Sequence, residues 1–504
     1  MLRTHLEIET TFEVDDAFAL PDLSVTEGVA TSGPTQQHEL VSTYLDTAQL
    51  RLVAAGITLR RRTGGLDAGW HLKLPVGADT RQEVRAPVGA ARRPPAALVR
   101  LVRVHVRDHP LRTIATLRTT RVLHRLLDDD GTVVAEVCDD RVVAVVAGQP
   151  ERRWREIEVE LVEGGRTLLS AVGTSLFAAG ARPARSGSKL VRALGPLLPP
   201  PAPQETRSGS TAGALAMRYV SEQVHQLEAA DPQVRADAED AVHRMRVAVR
   251  RLRSTLTTYR PLFQRDVTEP VRAELKWLAA QLGPARDLEV LRARLGDLLC
   301  EDGVADRQLR SHVDRQLVAR RRAAHRRLVH QLDTQRYFRL LDSLDVLVSR
   351  PPLVPGPKKK RKPMRKKASQ DLRRLMKRSW KALRRAVEAA NEPDLDETGR
   401  IDRLHEARKK AKRARYAAEA AAAMFGKPAK RLGSRLKHVQ SALGQVQDSA
   451  VASAELGRLA VDADGAFALG RAQVLEEQRL KQSVEDSAVV WADASGPALR
   501  AWLD

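Results

Sequence analysis

Cysteine is scarce in this chain of 504 residues, and the two that occur, Cys138 and Cys300, stand far apart without metal-ligand spacing. A disulfide framework and a cysteine-held zinc are thereby excluded, and a reducing cytoplasm is the expected compartment. Long apolar runs are missing as well: no stretch of 18 or more apolar residues occurs. Residues 1–14 carry His5, Glu7, Glu9 and Glu13 where a secretory signal would need an unbroken apolar segment. Neither export nor a membrane partner is expected. Aromatic residues make up only 4% of the chain and do not interleave with its cationic blocks, which argues against base stacking on single-stranded nucleic acid.

Positive charge is abundant, with 85 Lys and Arg against 63 Asp and Glu and a net charge of +22. It is unevenly placed. Residues 1–200 hold 26 basic and 24 acidic side chains, a balance of +2, whereas residues 201–504 hold 59 and 39, a balance of +20. The anion-seeking half is the C-terminal one.

The pattern also changes near residue 196. Before it, stretches such as HLEIETTFEV, GITLRRR, GWHLKL, RQEVRAPV and REIEVELVE alternate in period two between turn residues, as antiparallel strands do. After it, long segments of Ala, Leu, Arg and Glu carry helical periodicity. The expected fold is therefore α+β and multidomain: an N-terminal antiparallel β-barrel over residues 1–195, a Pro-rich linker at 196–212, and an all-α helical domain over 213–504. Two bundles, 213–350 and 368–504, are expected around a basic linker at 351–367. The run KKKRKPMRKK at 358–367 reads as a loop with nonspecific affinity for polyanions.

In the N-terminal half the charged residues alternate on single faces: Glu7 with Glu9, Arg60 with Arg62, His71 with Lys73, Arg81 with Glu83, and Glu156 with Glu158 and Glu160. One such pair fits a solvated sheet face. Five such strands fit a closed barrel with a polar, ion-rich interior.

These residues, with YLDTAQLRLVAAGITLRRR at 44–62, LKLP at 72–75, TLRTTR at 116–121, CDDRV at 138–142 and SGSKL at 186–190, resemble the CYTH domain, the triphosphate tunnel metalloenzymes. The resemblance implies that Glu7 and Glu9 bind Mg2+ or Mn2+ together with a carboxylate of EIEVEL, namely Glu158 or its neighbours Glu156 and Glu160. It implies that Arg60, Arg62, Lys73, Arg121 and Lys189 line a tunnel and hold the phosphates of a triphosphate-containing small molecule, with Glu83 and Asp140 at further acidic positions. Glu7, Glu9, Lys73 and Glu158 would form the catalytic set of a metal-dependent triphosphatase. One position departs: the family's Glu-x-Glu-x-Lys reads EIETT, with Thr11 in place of the lysine. A hydroxyl brings no charge to a phosphate, so a tunnel that binds without hydrolysing is the alternative.

In the helical half, HRMRVAVRRLR at 243–253 recurs as HEARKKAKRAR at 405–415, and LKWLAAQLGPARD at 275–287 recurs as LKHVQSALGQVQD at 436–448. The offset of about 161 residues suits two helical bundles related by pseudo-twofold symmetry rather than a solenoid. At about 100° per residue, His243, Arg246, Arg250 and Arg253 form one stripe beside an apolar face of Met245, Val249, Leu252 and Leu256. Its copy is His405, Arg408, Lys412 and Arg415. The duplicated pattern resembles the CHAD domain, the conserved histidine alpha-helical domain, and the resemblance implies binding of inorganic polyphosphate between the repeats. Association with polyphosphate granules would follow. A polyanion would relieve the repulsion among the stacked cations, whereas nucleic acid would be held only nonspecifically.

Overall fold

The computed structural model describes residues 2–76, 80–89, 93–198, 211–301, 304–354, 364–459 and 463–503. The chain divides into two compact units, Met1–Pro201 and Ala202–Asp504. The first contains strands β1 (Arg3–Val14), β2 (Thr31–Ser32), β3 (Gln36–Asp46), β4 (Thr58–Thr63), β5 (Gly69–Pro75), β6 (Thr80–Pro87), β7 (Arg112–Leu127), β8 (Val133–Val146), β9 (Arg152–Leu161) and β10 (Arg182–Pro183). Its helices are α1 (Arg51–Ala54), α2 (Ala96–Leu101), α3 (Arg103–Val106), α4 (Arg166–Ala178) and α5 (Lys189–Leu194).

Eight of these strands close into an antiparallel barrel in the order β1-β6-β5-β4-β3-β7-β8-β9, and β9 returns to β1. Closure depends on β1 changing partners midway. Arg3 to Ile8 pair with β6, and Glu9 to Val14 pair with β9. The seam therefore falls between Glu7 and Glu9.

The barrel is apolar outside and charged inside, which follows from the period-two alternation of its strands. Ile157 and Val159 of β9 and Phe12 of β1 pack outward against Leu168, Val172 and Leu176 of α4. Trp70 and Leu72 of β5 pack outward against Leu98, Val102 and Val106 on α2, α3 and the residue between them. The intervening residues Glu156, Glu158, Glu160, His71 and Lys73 must then face the lumen. The lumen is not polar throughout. Leu190, Ala193 and Leu194 of α5 pack against Tyr44, Leu117 and Val142, which share strand faces with Ser42, Arg121 and Asp140. An apolar plug thus borders the ionic interior.

After β3 the chain turns on Asp46, whose buried carboxylate accepts hydrogen bonds from the backbone N–H of Thr47 at 2.6 Å, Leu52 at 2.9 Å and Val53 at 2.9 Å. That carboxylate satisfies amides at the start of α1 that have no intrahelical acceptor.

The second unit consists of α6 (Ala212–Arg235), α7 (Ala241–Thr258), α8 (Arg265–Leu299), α9 (Arg307–Leu332), α10 (Gln335–Ser349), α11 (Met364–Ala390), α12 (Glu397–Phe425), α13 (Lys427–Leu456) and α14 (Ala463–Ala494). Residues 358–363 of the lysine-rich run lie outside the described residues, and α11 opens within its remainder. The duplicated blocks fall on α7 with α8 and on α12 with α13. Met245, Val249, Leu252 and Leu256 of α7 are all fully buried, as their stripe requires. The matching face of α12 uses alanines, Ala407, Ala411, Ala414 and Ala418, which let neighbouring helices approach closely. Tyr259, at the end of α7, donates to the carbonyl of Ala417 at 2.8 Å and ties the two repeats together. Leu291, Leu295 and Leu298 of α8 and Val313 and Leu317 of α9 share a core with Ala452, Leu456 and Leu469 of the second repeat. No helix of the described residues is long and apolar enough to cross a membrane.

Asp46→Ala should destabilise the tunnel unit by roughly 2–4 kcal/mol, because three buried N–H groups lose their acceptor. Denaturant unfolding followed by the near-UV signal of Trp70 measures this, and an unchanged midpoint would show that water or a rearranged turn serves those amides equally well.

Candidate functional site

The lumen of the barrel holds two ionic clusters. In the first, Lys73 of β5 reaches Glu7 at 2.7 Å and Glu9 at 3.5 Å, and Arg81 stands 3.6 Å from Glu9. His71 Nδ1 bonds the fully buried Glu83 at 2.9 Å, with Arg60 4.0 Å from the same carboxylate. Arg85 bonds Glu83 as well and lies 3.7 Å from Glu7. Arg62 is held by Asp67 at 2.6 Å and Ser42 at 3.3 Å.

In the second cluster, Lys189 at the start of α5 contacts Asp140 at 2.9 Å, Glu156 at 2.7 Å and Glu158 at 2.5 Å. Arg121 forks onto Asp140 at 2.7 and 2.6 Å and reaches Glu158 at 2.9 Å. The Trp154 indole N–H donates to Glu156 at 2.6 Å.

The acids of the two clusters are shifted in different directions. Burial opposes ionisation of Glu158, yet Lys189, Arg121 and Lys73 hold its carboxyl well below the usual range. Asp140 is held low in the same way by Arg121 and Lys189. Glu7 behaves oppositely. Burial, reinforced by Glu83 and Glu160, outweighs Lys73 and pushes Glu7 up to about 7. Burial also raises Glu160, with Glu9, Glu158 and Glu83 adding to it against Lys73. Glu83, in the same cluster, goes the other way: burial opposes its ionisation, yet the His71 hydrogen bond, Lys73 and Arg60 hold it well below the usual range, so burial rather than a lack of cations is what raises Glu7 and Glu160.

Ligand atoms of His5, Glu7 and Glu160 lie within 4.8 Å of one another, as do those of Asp140, Glu156 and Glu158. The first trio suits a hard divalent cation, which would favour the ionised form of two carboxylates that burial raises. In the second trio an ammonium group already contacts every carboxylate. Glu7 and Glu160, two of the five expected metal ligands, are thus brought together; Glu156 and Glu158 sit with Lys189, and Glu9 belongs to neither trio. His5 was missed from sequence, although it stands two residues before Glu7 on the same strand face. Thr11 faces the lumen at the register position opposite Glu158, close to the second cluster rather than to Glu7.

In the helical unit the two stripes meet. Arg246 of α7 bonds Asp287 of α8 at 2.6 Å, and at the equivalent place Arg408 of α12 stands 3.6 Å from Asp448 of α13. The repeated Leu-Gly fits this packing: a Cβ on Gly444 would come within 3.0 Å of the Arg408 guanidinium, and Arg246 bonds the carbonyl of Gly283 at 3.4 Å. Burial and then the charges of Arg408, Arg250 and Arg246 push Lys412 down to about 7. Burial also lowers Arg250, with Arg246, Arg408 and Arg415 adding to it against Tyr416. The Nε atoms of Arg250 and Arg408 are buried and have no hydrogen-bond acceptor among the described residues.

Not every expected member joins this centre. The charges that act on Arg253 are those of Arg272 and Arg413, so it stands in a separate basic group. Arg415 is partly neutralised by Glu419 at 2.8 Å and also donates a hydrogen bond to the Gln440 side-chain oxygen at 3.2 Å. His243 and His405 are both lowered by burial; Arg286 acts next on His243 and Lys409 on His405. Both rings are thereby kept from adding charge at neutral pH.

Comparison with known proteins matches residues 5–193 to the CYTH domain and residues 218–457 to the CHAD domain. The uncharacterized protein Rv2226 of Mycobacterium tuberculosis (strain ATCC 25618 / H37Rv) is 40% identical over 489 residues, covering 92% of this chain and 90% of that protein. Among solved structures, the CHAD domain from the plant Ricinus communis is 24% identical, covers 59% of this chain and 92% of its own, and has a TM-score of 0.40. The putative adenylyl cyclase HpAC1 from Hippeastrum, described as having a dominant triphosphatase activity, is 16% identical, covers 38% of this chain and 97% of its own, and has a TM-score of 0.26. Long-range identity to the mycobacterial protein, together with both domain matches in this order, places the chain in the family of proteins in which a CYTH domain is followed by a CHAD domain.

Proposed function

We propose that the chain binds inorganic polyphosphate through its helical unit and hydrolyses a triphosphate or short polyphosphate in its tunnel. The observation that carries the first part is the convergence of Arg246 and Arg250 with Arg408 and Lys412, cations from two repeats in a place where burial, and then the neighbouring arginines, push Lys412 down to about 7. Asp287 and Asp448 offset only part of this charge, and a linear phosphate polymer supplies the rest with displacement of bound counter-ions. The buried donors on Arg250 and Arg408 would find acceptors in its oxygens.

In the tunnel, His5, Glu7 and Glu160 would hold Mg2+ or Mn2+, with Glu9 alongside. The ion would supply charge stabilisation at a phosphoryl oxygen. Arg60, Arg62 and Lys73 orient and neutralise the phosphates from the opposite strands, and Arg121 with Lys189 keeps Asp140, Glu156 and Glu158 ionised and in place. A tunnel that only binds is the second reading. Thr11 favours it, because the lumen carries a neutral hydroxyl where the family places an ammonium.

Assay of the full chain against tripolyphosphate, thiamine triphosphate and ATP with Mg2+ or Mn2+ separates the two readings, since phosphate release from none of them leaves binding alone. Where hydrolysis occurs, Glu7→Gln should lower kcat by about 100-fold or more while leaving polyphosphate affinity within twofold. Equal loss of both would place polyphosphate binding in the tunnel.

Polyphosphate affinity should also depend on pH through Lys412. Free Lys412 titrates at about 7, and a bound polyanion raises that value. Below pH 7 the lysine is charged before and after binding. Above pH 7 binding must take up a proton, so affinity falls by about tenfold per pH unit until the raised value is reached. Lys412→Arg should remove this fall, because a guanidinium stays charged. Isothermal titration in buffers of different ionisation heat reads the proton uptake directly, and none at pH 8 would place Lys412 outside the binding centre.

A further inference from the structure

A second basic surface lies outside the paired stripes, on α11. Gln370, Arg373, Arg374, Lys377, Arg378 and Lys381, with Leu503 near the C-terminus, line a groove with a cavity volume of about 430 Å³. The cations follow helical spacing at i, i+1, i+4, i+5 and i+8, so they form a double row about 12 Å long on one side of the helix. Arg374, Lys377, Arg378 and Lys381 are exposed. From Leu372 to Val387 the helix has no carboxylate at all. Arg374, Arg378 and Lys381 make no ion pair among the described residues.

The duplication provides an internal control on whether the fold needs these charges. α6 precedes and packs on α7 as α11 precedes and packs on α12. Yet α6 carries only Arg218 and Arg235 as full cations, set against Glu222, Glu228 and Asp231. A helix in this position can therefore be built without a cationic row, and like charges at i, i+4 cost helix stability. The row on α11 is an addition that the packing does not require.

We infer that the α11 groove is a second binding site for inorganic polyphosphate, separate from the paired stripes of α7 and α12. The groove lining contains no aromatic side chain to stack a base. Its recognition is of charge along a line, which a flexible phosphate chain satisfies. It takes the ligand proposed above but rests on different residues, so the two sites fail separately. A long polymer could engage both sites of one molecule, and the second engagement would be intramolecular.

The test uses the full chain, long polyphosphate, a short oligophosphate and duplex DNA. One variant changes Arg374, Lys377, Arg378 and Lys381 to Gln, all on the exposed face, and a second changes Arg246, Arg408 and Lys412 to Gln; circular dichroism checks that both fold. The groove variant should lose about tenfold or more in affinity for long polyphosphate, with the slope of log affinity against log salt reduced by roughly three. It should bind the short oligophosphate as the parent does, and combining the two variants should remove the residual binding of the stripe variant. Parent-like affinity and slope in the groove variant overturn the inference while leaving the stripes intact as a site. Loss of DNA binding alone also overturns it, by assigning the groove to nucleic acid. No polyphosphate binding by the parent overturns both this inference and the helical part of the proposed function.

Discussion

A charge removed from water must be matched, and the two units of this chain meet that requirement in opposite ways. Around Lys189 compensation is complete: one ammonium touches three carboxylates, and Arg121 forks across two of them. The barrel interior is stable at that end because every ion has a partner. Around Glu7 and Glu160 burial prevails over Lys73, and both carboxylates hold their protons more tightly, while Glu83 beside them is held low by His71, Lys73 and Arg60. Around Lys412 burial, with the charges of Arg408, Arg250 and Arg246, acts on a cation and pushes it down to about 7. A cation beside Glu7 and an anion between α7 and α12 would each favour the charged form that burial opposes.

The same requirement explains the architecture. A barrel that carries its apolar residues outward needs cover, which α2, α3 and α4 provide. Its interior can then be ionic without exposing the core. The apolar contacts of α5 set Lys189 in place among the acids of β8 and β9. In the helical unit the cations lie beside the apolar stripe of α7 rather than opposite it. The packing of α7 on α12, which Tyr259 ties to the carbonyl of Ala417, then draws the two cationic rows together, and repulsion is accepted as a consequence of packing.

Internal duplication adds a means of separating packing from function. Arg246 with Asp287 and Arg408 with Asp448 recur at equivalent places, and glycine recurs beside each arginine. What differs between the repeats is equally informative. Lys412 replaces an arginine, introducing a group that can titrate where its counterpart Arg250 stays charged. α11 carries a cationic row that α6 lacks, and Gln447 faces His405 where Arg286 faces His243. The repeats share a scaffold and diverge in the charge they display.

The alternation of charge in the N-terminal strands was enough to infer a barrel with an ionic lumen, because side-chain direction in a strand depends only on parity. The helical duplication was equally legible, since it is a comparison of the sequence with itself. The resemblance to the two domain families rested on the same residues. Parity could not reveal how the lumen divides. Glu7 and Glu9 share a face, yet β1 exchanges β6 for β9 between them, and only closure of the barrel sets Glu7 with Glu160 and His5. Nor could it show that Lys189 claims Glu156 and Glu158, because that contact spans the barrel from a helix. Helical periodicity placed Arg253 in one stripe with Arg246 and Arg250, but the crossing of α7 and α12 sends it toward Arg413. Local sequence determined which face each charge occupies. Which charges meet, and therefore which are left uncompensated, was decided by tertiary structure, because Coulomb interactions depend on distance in space and on burial, and neither is carried by position along the chain.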